Sequence, residues 1–476
     1  YEWDFGDGET STVQNPSHTY AAEGEYDVSL TVTGPDDEDT KTMTGYIEVA
    51  DIVAEFSAEP TEGDVSVAVS LPVQFTDVSV GDIASWEWDL DGDGLTDSTE
   101  QSPSYTYETA GAYDVSLRVE GPDGTNTETK AAYITASAYE WPEMDLRLSH
   151  GMSVQQVGAK TAQKFADLLE EYTDGAMTVT VYPSGTLLQY QEEFEAVRAG
   201  GTVDITWTSP FFLRSQDPNL DFVGALPNAY SNLAHTRAVV ADGRLTDYTT
   251  DRLEDEYGIH LIGLFEIIHM GGYFTNARPL EEVADLSGLN QGLFRSGSVN
   301  PYEEFLGMTG QYTPYVDLVT RILDGTIDTI TNSVDAHVSQ GFVNYLPYAW
   351  CVVSGSYTTP LFNLAKWDSL GEHVQALIND VITPECQELG TQLAVEDEKK
   401  WYLIASQEMD SIVVAPPDHT AITWEGMQSL DSMQDLLDDM DPLILDVIEE
   451  LRPPAPTAYD ADIQAVIEFA GLGTAS

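Results

Sequence analysis

The strongest constraint on this chain is that its opening segment is written twice. Tyr1–Val49, YEWDFGDGETSTVQNPSHTYAAEGEYDVSLTVTGPDDEDTKTMTGYIEV, recurs as WEWDLDGDGLTDSTEQSPSYTYETAGAYDVSLRVEGPDGTNTETKAAYITA. Trp3 matches Trp88, Pro16–Tyr20 matches Pro103–Tyr107, and Tyr26–Leu30 matches Tyr113–Leu117. Both copies alternate apolar and polar residues with a period of two, punctuated by Gly, Asp and Pro. That pattern suits antiparallel strands with one buried face. The second copy has a front half, AEFSAEPTEGDVSVAVSLPVQFTDVSVGD, which the first lacks. Half a sandwich leaves strand edges unpaired. Either residues ahead of Tyr1 complete it or a neighbouring molecule donates a strand. The chain starts in mid-motif without a signal peptide, as expected of a processed or truncated form.

The segments WDFGDG and YDVSLTV resemble those of PKD domains, immunoglobulin-like modules of cell-surface proteins and secreted enzymes. The resemblance implies two all-β sandwiches, a partial one over 1–50 and a full one over 51–137. The second carries an inserted acidic loop, DLDGDGLTDSTE. Asp89, Asp91, Asp93, Asp97 and Glu100 fall at positions 1, 3, 5, 9 and 12 of a calcium loop. Gly94 takes the turn position, and Leu95 can offer a carbonyl. Flanking helices are absent, so the alternative is an acidic turn in an acid-rich chain. The expected cofactor is Ca²⁺, with no organic cofactor.

The charge balance limits the partners. Asp and Glu number 82 against 18 Lys and Arg, a net charge of −64. Such a surface repels nucleic acid and anionic membranes. Disorder is not expected, because 42% of residues are hydrophobic and 10% aromatic. The acid excess runs through every segment and fits a saline source, where cations screen self-repulsion; abundant calcium binding is the alternative. No apolar run is long enough to span a membrane as a helix. Cys351 and Cys386 read as two buried thiols, and a bridge cannot be assigned from their spacing.

After a linker, 138–144, the pattern changes to alternating strands and helices over 145–452, and a tail, 453–476, holds one short helix. Strands are expected at Leu146–His150, Met177–Tyr182 and Asp204–Trp207, and helices at Val154–Tyr172 and Tyr190–Ala199. A strand from His260 to His269 crosses toward a second lobe, with Gly271-Gly272 allowing close approach or hinge motion. A strand ending near Leu293 delivers Arg295, and Thr326–Ile330 delivers Asn332. Helical runs are expected from Pro301, at Val316–Leu323, from Ala365 to Ile378, over Thr383–Ile412 and over Met427–Leu451. Such units direct polar cargo out of the strands' carboxyl ends. There Arg295 suits a carboxylate, because a guanidinium fork makes two parallel charge-assisted bonds, and Asn332 adds an amide. Trp207, Ser209, Phe211 and His150 are pocket candidates at strand ends, against ordinary packing as the alternative. Arg278 fits a ligand contact or a structural cap equally.

The order and spacing of LRLSHGMSVQQVGAKTAQKFADLLEEYTDG, VTVYPSGTLLQYQEEFEAVRAGGTVDI, FTNARPLEEVADLSGL, LFR, ILDGTIDTITN and KWDSLGEHVQALI resemble the substrate-binding proteins of TRAP transporters, from about Asp145 to Leu451. The resemblance implies a two-lobed α/β periplasmic-binding-protein-like domain with a long helix bridging both lobes. It places the carboxylate-gripping Arg at Arg295 and the assisting Asn at Asn332. A second pocket Arg common in that family is replaced near Gly271, Gly272 and Tyr273, which predicts a less cationic, more aromatic pocket that includes Tyr273. The implied partners are a small organic acid and a membrane permease. Neighbouring copies or cell-wall components could engage the PKD-like modules, placing the chain outside the cell at its surface.

Catalysis has no sequence support. HExxH, GxSxG, a P-loop and a dinucleotide fingerprint are all absent, and the chain is read as a non-enzyme. A solute receptor is therefore weighed against a structural surface protein, a filament or surface-layer subunit that reuses a binding-protein scaffold.

Overall fold

The structure, a computed structural model, describes residues 1–49, 51–122, 124–213, 217–221, 229–230, 232–293, 301–314, 317–453 and 458–475. The chain divides into two compact units, Tyr1–Glu140 and Trp141–Ser476.

In the first unit, β1 (Glu2–Asp4), β2 (Thr10–Ser11), β3 (Gly24–Thr33) and β4 (Glu38–Val49) form one antiparallel sheet in the order β2-β1-β3-β4. The second copy adds the missing layer. There β5 (Phe56–Glu59), β7 (Leu71–Asp77) and β9 (Ser104–Tyr107) make one sheet. The other contains β6 (Glu62–Val65), β8 (Ser85–Asp89), β10 (Gly111–Gly121) and β11 (Gly124–Ala138). Its core holds Phe56, Phe75, Trp88, Val115, Leu117 and Val119. The copies agree down to one irregularity: each bulges after its Tyr, at Tyr26/Val28 and at Tyr113/Val115. An Asp pins each bulge, Asp27 accepting from the Gly45 amide and Asp114 from the Ala132 amide, both at 2.7 Å. They differ in burial. Val119 is fully buried, whereas its counterpart Val32 is 41% exposed; among the described residues the first copy forms a single sheet.

In the second unit, β12 (Met144–Ser149), β13 (Met177–Tyr182) and β14 (Ile205–Thr208) are parallel neighbours. Helix α1 (Val157–Tyr172) connects the first two strands, and α2 (Tyr190–Ala199) leads into the third. After α3 (Pro210–Leu213), α4 (Leu233–Asp242) and α5 (Arg244–Tyr257), the chain forms β15 (Ile259–Leu261) and then β16 (Phe265–Thr275). The expected single strand over His260–His269 is thus two strands parted at Gly263. The second lobe follows: β17 (Asn290–Leu293), α6 (Pro301–Phe305), β18 (Thr309–Tyr312), α7 (Leu318–Leu323), β19 (Thr329–Ser333) and α8 (Val334–Ser339).

Strand β20 (Tyr348–Asn363) joins the lobes. Its carboxyl end, Thr359–Asn363, pairs with β14 and β15, while β16 runs antiparallel along Tyr348–Thr358. Strand β16 in turn pairs with β19 of the second lobe. The β16–β20 register slips between Glu266 and Ile268 and again between Ile268 and Met270, so the ribbon is kinked where it passes between lobes. Gly271 and Gly272 lie beyond these slips, paired on both sides. A Cβ on Gly272 would sit 3.1 Å from Phe274 and 3.2 Å from Cys351 Sγ, so this glycine serves close packing, and the kink lies before it.

Two short helices, α9 (Leu364–Asp368) and α10 (Glu372–Ala376), and a π-helical turn precede α11 (Thr383–Glu408). At 26 residues and 1.5 Å each, α11 is about 39 Å long. It packs on α1 of the first lobe and on β16 and α8 of the second. The helix stops at Glu408 and the chain becomes β21 (Ser411–Val414), which pairs with β20 and with β22 (Gly473–Thr474). The run expected over Met427–Leu451 is divided into α12 (His419–Met427), α13 (Asp431–Asp439) and α14 (Pro442–Glu450). Asp441 caps α14, its Oδ1 accepting from the Leu443 amide at 2.9 Å ahead of Pro442. Helix α15 (Ala461–Ala470) packs back on α11. Cys351 and Cys386 are both free and buried. Among the described residues, no helix is long and apolar enough to cross a membrane.

Candidate functional site

A cavity opens where the two lobes and α11 meet. The first lobe contributes Met152, Gln156, Val157 and Gly158 from the segment entering α1, and Ser209 from the end of β14. The second contributes Ser333, Val334 and Asp335 from the β19–α8 junction. Met270 and Thr358 of the shared ribbon form one wall, and Asp397, Glu398, Trp401 and Tyr402 of α11 another. Carboxyl ends of strands thus face the cavity from both lobes, as the sequence pattern implied. Polar contacts cross the molecule here. Gln156 Nε2 lies 3.4 Å from Asp335 Oδ2, and Lys160 Nζ reaches both Asp397 oxygens at 2.8 and 2.9 Å. Glu398 Oε1 accepts from the Met270 amide at 2.9 Å, tying α11 to the ribbon.

The expected site residues divide among different places. Ser209 lines the cavity. Asn332 stands next to the lining residue Ser333; its Oδ1 accepts from the Ser333 amide at 3.0 Å, while its buried Nδ2 has no hydrogen-bond partner among the described residues. Trp207 is fully buried, packed on Phe165 and Phe265, and donates to Thr358 Oγ1 at 3.0 Å. It therefore supports the cavity wall from behind. Tyr273 belongs to the second-lobe core with Trp350. His150 borders a separate depression beside α1, with Lys160 and Lys164; burial lowers its pKa to about 4, so the ring is neutral at pH 7. Arg278 is structural, donating to the carbonyls of Asp285 and Ser287 at 2.8 and 2.6 Å. Arg295 and the side chain of Phe211 lie outside the described residues.

Behind Ser209 lies a second polar cluster. Ser149 and Thr206 are directly paired across β12 and β14, so their side chains share a face, and Thr208 two residues on joins them. Helix α2 packs against β14 and brings Glu193 to Thr208. All four are buried, and among the described residues the three hydroxyls and both Glu193 oxygens lack a hydrogen bond of normal geometry. Burial raises the Glu193 pKa to about 8, opposed more weakly by the nearby Thr208 hydroxyl and Gly151 amide. The carboxyl is therefore largely protonated at neutral pH.

In the first unit, Asp89, Asp91 and Asp97 each place one carboxylate oxygen within 4.8 Å of the others. Carboxylate oxygens this close together could hold one hard cation such as Ca²⁺. Asp93, Leu95 and Glu100 are not part of this triad: Asp93 Oδ1 accepts from the Leu95 amide at 2.8 Å, and Glu100 presents its backbone carbonyl to Trp88 Nε1 at 2.9 Å.

With this geometry in view, comparison with known proteins is decisive for the family. The bacterial extracellular solute-binding protein family 7 profile matches residues 148–434, more than half of the chain. The chain belongs to this family. It is a family of binding proteins, not enzymes. The PKD domain profile matches 1–49 and 53–136. The chain is 40% identical over 269 residues to the C4-dicarboxylate-binding periplasmic protein of Rhodobacter capsulatus, covering 54% of this chain and 75% of that one. It is 26% identical over 279 residues to the 2,3-diketo-L-gulonate-binding periplasmic protein of Escherichia coli, covering 57% and 80%. A TRAP periplasmic solute-binding protein structure from Ochrobactrum anthropi superposes with a TM-score of 0.59 at 18% identity, covering 65% of this chain and 95% of that one. One from Sulfitobacter with bound β-D-galacturonate gives 0.55 at 16%, covering 65% and 99%. At these identities the structures establish the fold.

Sequence reasoning missed Gln156, Met270, Asp335, Thr358 and the whole α11 wall. A signal for that wall was present: Gly390, Ala394, Glu398 and Tyr402 recur every four residues and are all buried, marking the stripe of α11 that faces inward.

Proposed function

We propose that this chain captures a small organic acid in the interlobe cavity and hands it, in a lobe-closed form, to a TRAP-type membrane permease. One observation carries the reading: among the described residues Asn332 holds a buried amide nitrogen with nothing to donate to, next to the cavity lining. A ligand carboxylate would complete it. Arg295, which follows β17 in the sequence, would supply the charged grip. Ser209 and the rings of Trp401 and Tyr402 would enclose the remainder. The ligands named for the relatives, C4-dicarboxylate, 2,3-diketo-L-gulonate and galacturonate, support the acid class. We assign the acid excess to saline surroundings and place the chain outside the cytoplasmic membrane, displayed by its PKD modules. The Asp89–Asp91–Asp97 triad would hold Ca²⁺ and rigidify the loop of the second module.

The test is a thermal-shift screen of mono- and dicarboxylates, sugar acids and aromatic acids in high salt. A ligand at 100 times its Kd adds about 2.7 kcal/mol of stability, a readable shift. Arg295→Ala should abolish it and Asn332→Ala should reduce it, with circular dichroism unchanged. A folded protein that answers to no acid would favour the structural alternative, which electron microscopy would reveal as ordered polymers.

A further inference from the structure

Each lobe reaches the cavity with the opening turn of a helix, and the two turns touch. Gln156 is the N-cap of α1, and its backbone carbonyl accepts from the Ala159 and Lys160 amides at 3.1 Å each. Its side chain is fixed as well: Oε1 accepts from the Ser153 amide at 2.8 Å, which leaves Nε2 as the donor end. Asp335 lies in the first turn of α8, and Gln156 Nε2 donates to its Oδ2 at 3.4 Å. Among the described residues this is the one hydrogen bond of the Asp335 carboxylate.

The other polar contacts at the cavity end on elements that the lobes share. Lys160, one turn along α1, pairs with Asp397 of α11, and Glu398 of α11 accepts from the Met270 amide of β16. These contacts need not break when the angle between the lobes changes. The Gln156–Asp335 contact is different, because it joins a side chain of the β12–β14 lobe directly to one of the β17–β19 lobe. Opening must break it and closing must make it. At 3.4 Å it stands at the long edge of the hydrogen-bond range, so a further closure of about half an ångström would bring it to ordinary length.

Resting on the reading of the cavity as an acid receptor that works by lobe closure, we propose that Gln156 and Asp335 form a latch that sets the balance between open and closed forms. An amide that donates to a carboxylate makes a charge-assisted bond, stronger than a neutral one. Both partners line the cavity and are only half-buried, so water takes them back on opening and the net gain stays small. That suits a contact that must release. Ligand affinity scales with the fraction of protein in the binding-competent form, so the latch adjusts capture and release together.

The test exchanges the two groups. Gln156→Glu keeps an oxygen for the Ser153 amide and adds a charge that a helix N-terminus favours, but it sets two carboxylates against each other. Adding Asp335→Asn restores an amide facing a carboxylate, with the roles reversed and the same combined length. Pulsed electron paramagnetic resonance on the full chain in constant salt reads the lobe separation between spin labels at Glu170→Cys on α1 and Leu323→Cys on α7, both exposed; Cys351 and Cys386 are buried and take no label. Without ligand, the parent protein should show a short-distance population, Gln156→Glu should deplete it, and the double exchange should return it. Calorimetry with succinate should follow, with affinity about tenfold weaker in the single variant and recovered to within about threefold in the double. Equal distances in all three proteins, or a double variant as open as the single one, overturn the latch and leave the receptor reading standing. A loss of affinity with unchanged distances also overturns it, making Gln156 a direct ligand contact. Distances that respond as expected in a protein that answers to neither succinate nor the broader acid screen uphold the latch and overturn the receptor.

Discussion

Glu193 offers a quantitative test of the first lobe. Its carboxyl is fully buried near the Thr208 hydroxyl, with no hydrogen bond of normal geometry among the described residues. Burial raises its pKa from an ordinary 4.5 to about 8. The sign follows from proton counting. Between these values the folded state keeps a proton that the unfolded state has lost, so stability falls as pH rises from 4.5 towards 8 and is level above it. The interval is about 3.5 pH units, and at 1.36 kcal/mol per unit the cost is on the order of 5 kcal/mol at pH 8 and above. Glu193→Gln keeps the shape and cannot ionise. It should match the wild type near pH 4.5 and gain on it steadily, leading by roughly 3 to 5 kcal/mol at pH 8 to 9. Denaturant unfolding followed by tryptophan fluorescence at pH 5 to 9, in constant salt, reads this difference directly. Parallel pH profiles for the two proteins would refute the assignment of Glu193 as a neutral buried acid.

Three further outcomes are expected. Gly158→Ala places a Cβ 2.5 Å from Met152 Sδ and 3.0 Å from Thr358 Cγ2, which pushes the flexible Met152 into the cavity; ligand affinity measured by calorimetry should fall about tenfold with a small change in stability. Trp88→Ala removes the fully buried centre of the second PKD module, packed on Phe56 and Phe75, and should destabilise that module by about 3–5 kcal/mol in denaturant melts while ligand binding persists. Chelation with EGTA should lower the melting temperature of the same module, and Asp89→Asn with Asp97→Asn should erase the difference between calcium-loaded and chelated protein.

What was legible in the sequence was whatever a local pattern enforces. Period-two alternation gave β3 and β10, and Gly200 stopped α2 where expected. Strand β19 was recognisable because Asp324-Gly325 ends the helical run before it, and Asn332 lies at its carboxyl end. The cavity was legible only in part, because half its lining comes from helices whose inward stripe is set by packing. Asp335 and Glu398 look like any other acids in a chain with 82 of them. Trp207 and Tyr273 misled for the opposite reason. A large aromatic near a strand end fits a pocket or a core equally, and here the sheet-to-helix space took both. Met427–Leu451 was read as one helix although Pro442, a good N1 residue, already marked a fresh start.

The kinked ribbon has one more implication. Strands β16 and β20 are each a single length of backbone serving both lobes, and α11 packs along β16. Neither lobe can be cut out as an autonomous fragment, since removing one strips the other of a central strand. The solute-binding domain should therefore melt as one cooperative block despite its two-part appearance, and the motion that admits ligand must come from bending a shared spine.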